Sequence, residues 1–201
     1  MSPTAEDQAI GESAARKSVL RSEALARRDA LPAEERLAAA ATIAARPFPL
    51  PLMPGLVVSA YWPMRSELDP RPLMRKVAEA GAQLALPVVE GRGRPLTMRA
   101  WSFGAALAAG VWGIRQPPPE APEVFPDILI MPLAAFDRRG QRIGYGAGYY
   151  DMTLARLRAM KPVTAIGVAF AAQEIGQVPA TARDERLDLV LTEREVIDFR
   201  E

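Results

Sequence analysis

The chain has 201 residues, 49% hydrophobic and 24% charged, and its 25 basic and 24 acidic side chains leave a formal net charge of +1. That size suits one well-buried domain over residues 1–201, and the near-neutral balance offers no general attraction for polyanions, so no nucleic-acid partner is expected. Cysteine and histidine are both absent, which excludes disulfides, thiolate nucleophiles, Ser-His triads, imidazole bases and the usual zinc ligand sets.

Any chemistry must therefore rest on carboxylates, Lys, Arg, Tyr, backbone amides and a hard metal. No apolar run approaches membrane length, and the first residues carry no hydrophobic signal core, so a cytoplasmic protein with no membrane partner is expected. A monomer is the expected state.

Residues Ala5 to Ala30 predict a long first helix, with Ile10, Ala14, Val19, Leu20 and Leu25 as an imperfect apolar stripe. Leu31-Pro32 punctuates it, and Pro32 suits the first turn of a second helix running to about Ala45. The Pro-rich stretch Pro47 to Pro54 breaks helix. Leu56 to Tyr61 reads as a strand, Pro70 to Ala80 as a helix stopped by Gly81, and Gln83 to Val89 as a second strand, which together make a β-α-β unit. A short strand is expected near Leu96 to Ala100, followed by an irregular surface loop from Gln116 to Pro126. Ile128 to Met131, a glycine loop, a helix from Tyr149 to Met160 and a strand from Val163 to Phe170 form a second β-α-β unit. Leu187 to Leu191 supplies the last strand. Apolar strands interleaved with helices predict an α/β fold whose mainly parallel sheet is covered on both faces, with ligands beyond the carboxyl ends of the strands.

The stretch Phe136 to Asp151 is the most informative in the chain. Its glycines let bare backbone N–H groups approach an anion, and the helix start behind it adds a positive dipole end. It also carries Arg138, Arg139 and Arg142, the rings Tyr149 and Tyr150, and the carboxylates Asp137 and Asp151. It is neither a Walker sequence nor a dinucleotide fingerprint. A Gly-x-Gly-x-Gly alone could be a tight strand-to-helix turn; the charge and ring density around it favours a functional loop.

Other positions stay open on the residues alone. Lys17 and Arg21 share one helix face, either as a ligand clamp or as a solvated surface with Glu23 and Arg28 nearby. Trp62 and Glu67 follow the first strand, as a wall and hydrogen-bond acceptor for a flat ligand or as a half-buried indole in a Pro-bearing loop. Trp112 reads as a packing residue. Asp184 and Asp188 either ligate a cation or cap a turn, and composition favours the turn.

The run Met131 to Asp137, then Gly140, then Arg142-Ile143-Gly144-Tyr145-Gly146-Ala147-Gly148-Tyr149-Tyr150-Asp151, resembles the signature of the 5-formyltetrahydrofolate cyclo-ligases, also called 5,10-methenyltetrahydrofolate synthetases. Lys17-Ser18-Val19-Leu20-Arg21, Pro63 to Glu67, Trp112 to Pro117 and the segment from Ala165 to Glu193 extend the likeness over nearly the whole chain. The resemblance implies a three-layer α/β sandwich related to the sugar-phosphate isomerase and CoA-transferase group.

It further implies ATP held by Lys17, Arg21, Arg142, Ile143, Gly144, Tyr145, Gly146, Ala147, Gly148, Tyr149 and Tyr150. Folate would be held by Trp62, Glu67 and Tyr145 through Tyr149, and Mg²⁺ would lie near Asp151 and Asp184. Arg142 and Tyr150 are the expected catalytic groups. The implied reaction converts 5-formyltetrahydrofolate to 5,10-methenyltetrahydrofolate through a phosphorylated formyl group, with ADP and phosphate released. Met152 stands where many members carry Arg or Lys, and Ala147 where they carry Gly or Lys. Alternatives are an enzyme acting on another formylated amine, a folate- or nucleotide-binding protein without catalysis, and an interaction protein whose glycine loop is only a turn.

Overall fold

The structure, a computed structural model, describes residues 5–200, with the backbone alone described for residues 5–10 and 112. The packing role expected of Trp112 and the place of Ile10 in the helix stripe therefore lie outside the described residues. Helix α1 spans Ala5–Asp29 and α2 spans Ala33–Ala45, after Pro32. Strand β1 (Val57–Ser59) leads through α3 (Arg71–Glu79) into β2 (Gln83–Val88), and β3 (Thr97–Ala100) follows. Two-residue strands β4 (Ala108–Ala109) and β5 (Arg115–Gln116) pair with each other. Strand β6 (Ile128–Pro132) precedes a small hairpin of β7 (Ala135–Phe136) and β8 (Arg142–Ile143). Helix α4 (Tyr149–Met160), β9 (Thr164–Val168), β10 (Leu189–Leu191) and β11 (Val196–Asp198) complete the order.

The main sheet has seven strands in the order β11-β10-β9-β6-β1-β2-β3. The five inner strands run parallel, and β3 and β11 pair antiparallel at the two edges. The expected α/β sandwich is thus present, but the strand ending at Leu191 is not the last, and the short β4–β5 pair was not expected. β11 was illegible because only Ile197 of its three residues faces inward. The β7–β8 hairpin inside the glycine-rich stretch was also missed, since a two-residue ladder carries no alternation to detect.

Alternate residues of the inner strands point to opposite faces. Val58, Ile128, Ile130, Ile166, Val168, Leu189 and Leu191 pack beneath Ala39, Ala40 and Ile43 of α2 and Leu73, Met74 and Val77 of α3. Leu129, Met131, Ala165 and Val190 pack on the other side, under Leu154 and Leu157 of α4. Burial on both faces explains why these strands read as unbroken apolar runs.

The chain leaves β1 toward β2 on one side and β6 toward β9 on the other, although β1 and β6 are neighbours. Strand order therefore reverses between them, which opens a crevice beyond their carboxyl ends. The loop 61–70 after β1 and the hairpin with its glycine loop after β6 border that crevice. Helix α1 packs there through Ala24 and Leu20 against Ala135, Ile143 and Val178.

Candidate active site

The hairpin that presents the glycine loop is fixed by Asp137, whose residue is 0% exposed. Its Oδ1 accepts hydrogen bonds from the backbone N–H of Arg139 (2.9 Å) and Gln141 (3.1 Å), and its Oδ2 from Val178 N–H (2.9 Å) and the Arg139 guanidinium (3.0 Å). Gly140 closes the turn at φ +78°, where an added Cβ would also stand 2.9 Å from the Leu187 carbonyl oxygen. Asp137 is therefore a structural carboxylate of the hairpin, and the turn at 140 admits only glycine.

Beyond the hairpin the chain runs exposed from Tyr145 to Gly148 and enters α4 with Gly148 in the left-handed region, φ 68°. Helix α1 lies along this loop. Arg21 donates from Nε to the Gly144 carbonyl at 2.7 Å, and its guanidinium sits 3.6 Å from where a Cβ of Gly146 would be. Gly146 itself has φ +101°, so both backbone and space favour glycine there. Lys17, one turn earlier, pairs with both oxygens of Asp184 at 2.5 and 2.6 Å. Asp184 also accepts from the N–H and hydroxyl of Thr181 at 2.6 and 2.8 Å. Burial raises its carboxyl, but Lys17 and Thr181 outweigh that and hold it below the ordinary range.

Arg142 in β8 is 5% exposed and donates from Nη2 to Asp151 Oδ1 at 2.7 Å. The same oxygen accepts the Glu185 N–H at 3.1 Å. Asp151 thus bridges the glycine loop to the segment 181–186 and does not cap α4, whose start has no side-chain capping bond. The buried Nε of Arg142 has no hydrogen-bond partner among the described residues. Asp188, read as a turn residue, accepts from Ala165 N–H and Arg158 and so ties β10 to its neighbours.

On the β1 side, Glu67 accepts the Met64 N–H at 2.9 Å and bonds to the Tyr145 hydroxyl. Burial raises its carboxyl above the usual range, against the pull of Tyr145, Met64 N–H and Arg28. Burial and then the charge of Glu67 push the Tyr150 hydroxyl well up, with Arg142 opposing. Tyr150 therefore stays a neutral donor between the Glu67 side and the Arg142 side. Trp62 is half-buried, edge-on to Trp101 at 5.8 Å, with the Arg71 guanidinium 5.3 Å over its ring.

The structure brings Lys17, Arg21, Arg142, Tyr145, Tyr150 and Glu67 around one crevice. It also shows one residue that the sequence reading had left on a solvated face. Arg28 is 4% exposed and donates from Nη1 to the Tyr145 hydroxyl at 2.6 Å and from Nε to Ser66 Oγ at 3.1 Å. Its signal was its register with Lys17 and Arg21: spaced 4 and 11 residues along α1, the three lie within about 40° of one another around the helix. Both expected metal carboxylates are in ion pairs, Asp151 with Arg142 and Asp184 with Lys17. Among the described residues no group of three or more acidic side chains stands close enough to hold a metal ion.

The model of the 5-formyltetrahydrofolate cyclo-ligase family matches residues 13–193, a span that takes in every side chain of this crevice. The chain belongs to that family. It is similar to the 5-formyltetrahydrofolate cyclo-ligase of Mycolicibacterium smegmatis, 34% identical over 150 residues, or 69% of this chain and 74% of the relative. The cyclo-ligase of Escherichia coli is 30% identical over 155 residues, 74% of this chain and 84% of its own length. The solved structure of 5,10-methenyltetrahydrofolate synthetase from Aquifex aeolicus superposes with a TM-score of 0.74 at 31% identity, covering 92% of this chain and 93% of that one. Lys17, Arg21 and Arg142 lie on the side of this crevice formed by the glycine loop and the segment 181–186, and Glu67 lies on the other with Tyr145 and Arg28.

Proposed function

We propose that this protein closes 5-formyltetrahydrofolate to 5,10-methenyltetrahydrofolate at the expense of ATP, releasing ADP and phosphate. The observation that carries the reading is the Arg21 to Gly144 hydrogen bond, which lays the basic face of α1 along a loop of open backbone. Cations on a helix facing a glycine loop at a second helix's start suit a triphosphate.

In this reading Lys17, Arg21 and Arg142 hold the phosphates with the loop from Ile143 to Tyr150. Glu67 accepts ring N–H groups of the pterin, and Trp62 and Tyr145 flank its plane. The formyl oxygen attacks the γ-phosphorus and ADP leaves; N10 then attacks the formyl carbon, loses its proton, and the former formyl oxygen departs with phosphate. Positioning and charge neutralisation are the main demands of such a transfer. Arg142 and a neutral Tyr150 hydroxyl would stabilise charge on the transferring group.

Asp151 engages Arg142 and the Glu185 N–H through Oδ1, and its second oxygen suits Mg²⁺, which takes few protein oxygens and keeps waters or phosphate oxygens as its other ligands. Asp151 and Asp184 would hold it, and bound there it would neutralise phosphate charge. We take the protein to act on its two small substrates as a monomer in the cytoplasm, as one cyclo-ligase domain over residues 1–201; no described helix is long and apolar enough to cross a membrane.

The test follows methenyltetrahydrofolate by its absorbance, with and without ATP, and ADP release in parallel. Product that forms only with ATP, in step with ADP, is expected. Binding without turnover would leave a non-catalytic binder, and turnover of other formylated amines alone would move the substrate. Asp151→Asn keeps an acceptor for Glu185 N–H but leaves the buried Arg142 guanidinium without its counter-charge, so Tm should fall by about 5 °C or more while the chain still folds. The Mg²⁺ needed for half-maximal activity should rise, by about tenfold. An unchanged Mg²⁺ dependence would leave Asp151 as the partner of Arg142 alone.

A further inference from the structure

Among the basic residues of α1, Arg28 is the most deeply buried and lies farthest along the helix from Lys17. Eleven residues of helix place it about 16 Å from Lys17 along the axis, so one rigid element carries cations to both sides of the crevice. A buried guanidinium is costly unless its donors are satisfied. Arg28 satisfies them at two segments that are distant in sequence: the Tyr145 hydroxyl at 2.6 Å in the glycine loop and Ser66 Oγ at 3.1 Å in the loop after β1. Asp29 completes the set at 3.3 Å and also accepts the Ser66 hydroxyl. Tyr145, while accepting from Arg28, donates to Glu67.

From this geometry we propose that Arg28 is a positioning residue for the folate side of the reaction: by fastening Tyr145 and Ser66 to α1 it fixes where the Glu67 carboxylate and the Tyr145 ring stand against the pterin. The proposal rests on the cyclo-ligase reading and assigns a role to a residue outside the phosphate clamp. A loop tip of small residues, exposed from Tyr145 to Gly148, has little packing of its own to fix it. The Arg28 bond is a charge-assisted anchor at its one bulky residue. Arg21 holds the same loop separately, one residue earlier at Gly144, so the phosphate side keeps its own anchor when Arg28 is changed.

A residue that only stabilised the fold would affect both substrates alike and would leave ionisation in the site unmoved. The groups facing Glu67 are Tyr145 and Tyr150 from the glycine loop and α4, Tyr61 and Met64 N–H from the loop after β1 and Arg28 from α1. Of these only Arg28 is cationic, and its charge lowers the Glu67 carboxyl against the dominant effect of burial. Binding that needs ionised Glu67 fails as pH falls through that group's pKa. Removing the Arg28 charge moves that failure to higher pH.

The experiment compares Arg28→Gln, Arg28→Lys and Tyr145→Phe with the unmodified chain. It reads KM for the reduced folate, the acid limb of kcat/KM against pH, and ATP affinity by calorimetry. Arg28→Gln should raise the folate KM roughly tenfold, the worth of one buried hydrogen bond, and shift the acid limb upward while ATP affinity holds. Arg28→Lys keeps the charge and should leave the limb in place with an intermediate KM. Tyr145→Phe is expected to fold, since its ring stays, and should reproduce the KM rise and the shifted limb even if Arg28→Gln proves too unstable to assay. An unaltered folate KM and acid limb in Tyr145→Phe or in folded Arg28→Gln, or an equal loss of ATP affinity, would overturn the proposal. If the unmodified chain forms no methenyl product, the functional reading falls and this proposal with it; turnover by that chain with an unaltered Arg28→Gln enzyme overturns the proposal alone.

Discussion

Arg142→Ala is expected to lower kcat by about 100- to 1,000-fold, the scale on which single electrostatic stabilisers of a transition state act. Three observations make this the most sensitive position in the crevice. Arg142 is 5% exposed, so its charge is little screened by water. Its guanidinium lies under the glycine loop, with Nη1 3.2 Å from where a Cβ of Gly144 would stand. Its buried Nε has no partner among the described residues, which leaves a donor for an oxygen of the transferring phosphoryl group. The ion pair with Asp151 holds the fork in place through Nη2. Asp151 keeps some solvent contact, its side chain being 21% exposed, so loss of its partner should cost Tm only about 5 °C. Arg142→Lys restores charge without the fork and should recover only part of the rate. Stopped-flow kinetics and ATP titration of the folded Arg142→Ala protein decide the matter. Values of kcat and ATP affinity within about twofold of the unmodified chain would remove Arg142 from the phosphate clamp.

Much of the architecture was legible because it rests on local signals. α2 is announced by Pro32 and an alanine run, and the inner strands by continuous apolar residues that only a sheet covered on both faces can bury. What the sequence concealed are contacts made at a distance. Asp184 is recognisable as a carboxylate near the last parallel strand, but its pairing with Lys17 spans 167 residues. Arg28 looks like any helical surface arginine until the glycine loop folds over it. Its register with Lys17 and Arg21 was readable, yet register alone cannot say which face of a helix meets a ligand. Asp137 shows the opposite error: in a loop rich in charge it resembled a ligand group, whereas its depth and its four donors make it part of the scaffold.

That scaffold role makes Asp137→Asn the substitution with the largest expected effect on stability. Burial alone would raise the Asp137 carboxyl, but the N–H groups of Val178, Arg139 and Gln141 and the Arg139 guanidinium more than offset it and hold the group below its ordinary value. A carboxylate depressed in the folded state adds stability that is fully present above its unfolded pKa, about 3.9, and is lost as pH falls through the lower folded value. An asparagine carries no charge and must turn an NH₂ toward donors that need an acceptor, so a buried N–H is left unpaired. The cost at pH 7 should be about 3 kcal/mol. It should shrink in acid, below about pH 4, where the unmodified chain loses the same charge. Urea unfolding at pH 7 and pH 3 measures both values. Equal losses at the two pH values would mean that shape, not charge, holds the turn. Because the hairpin carries Arg142 and the Gly144 carbonyl that receives Arg21, activity in Asp137→Asn should fail at temperatures where the sheet is still intact. Loss of activity only at the global melting temperature would show that the turn and the site are not separately vulnerable.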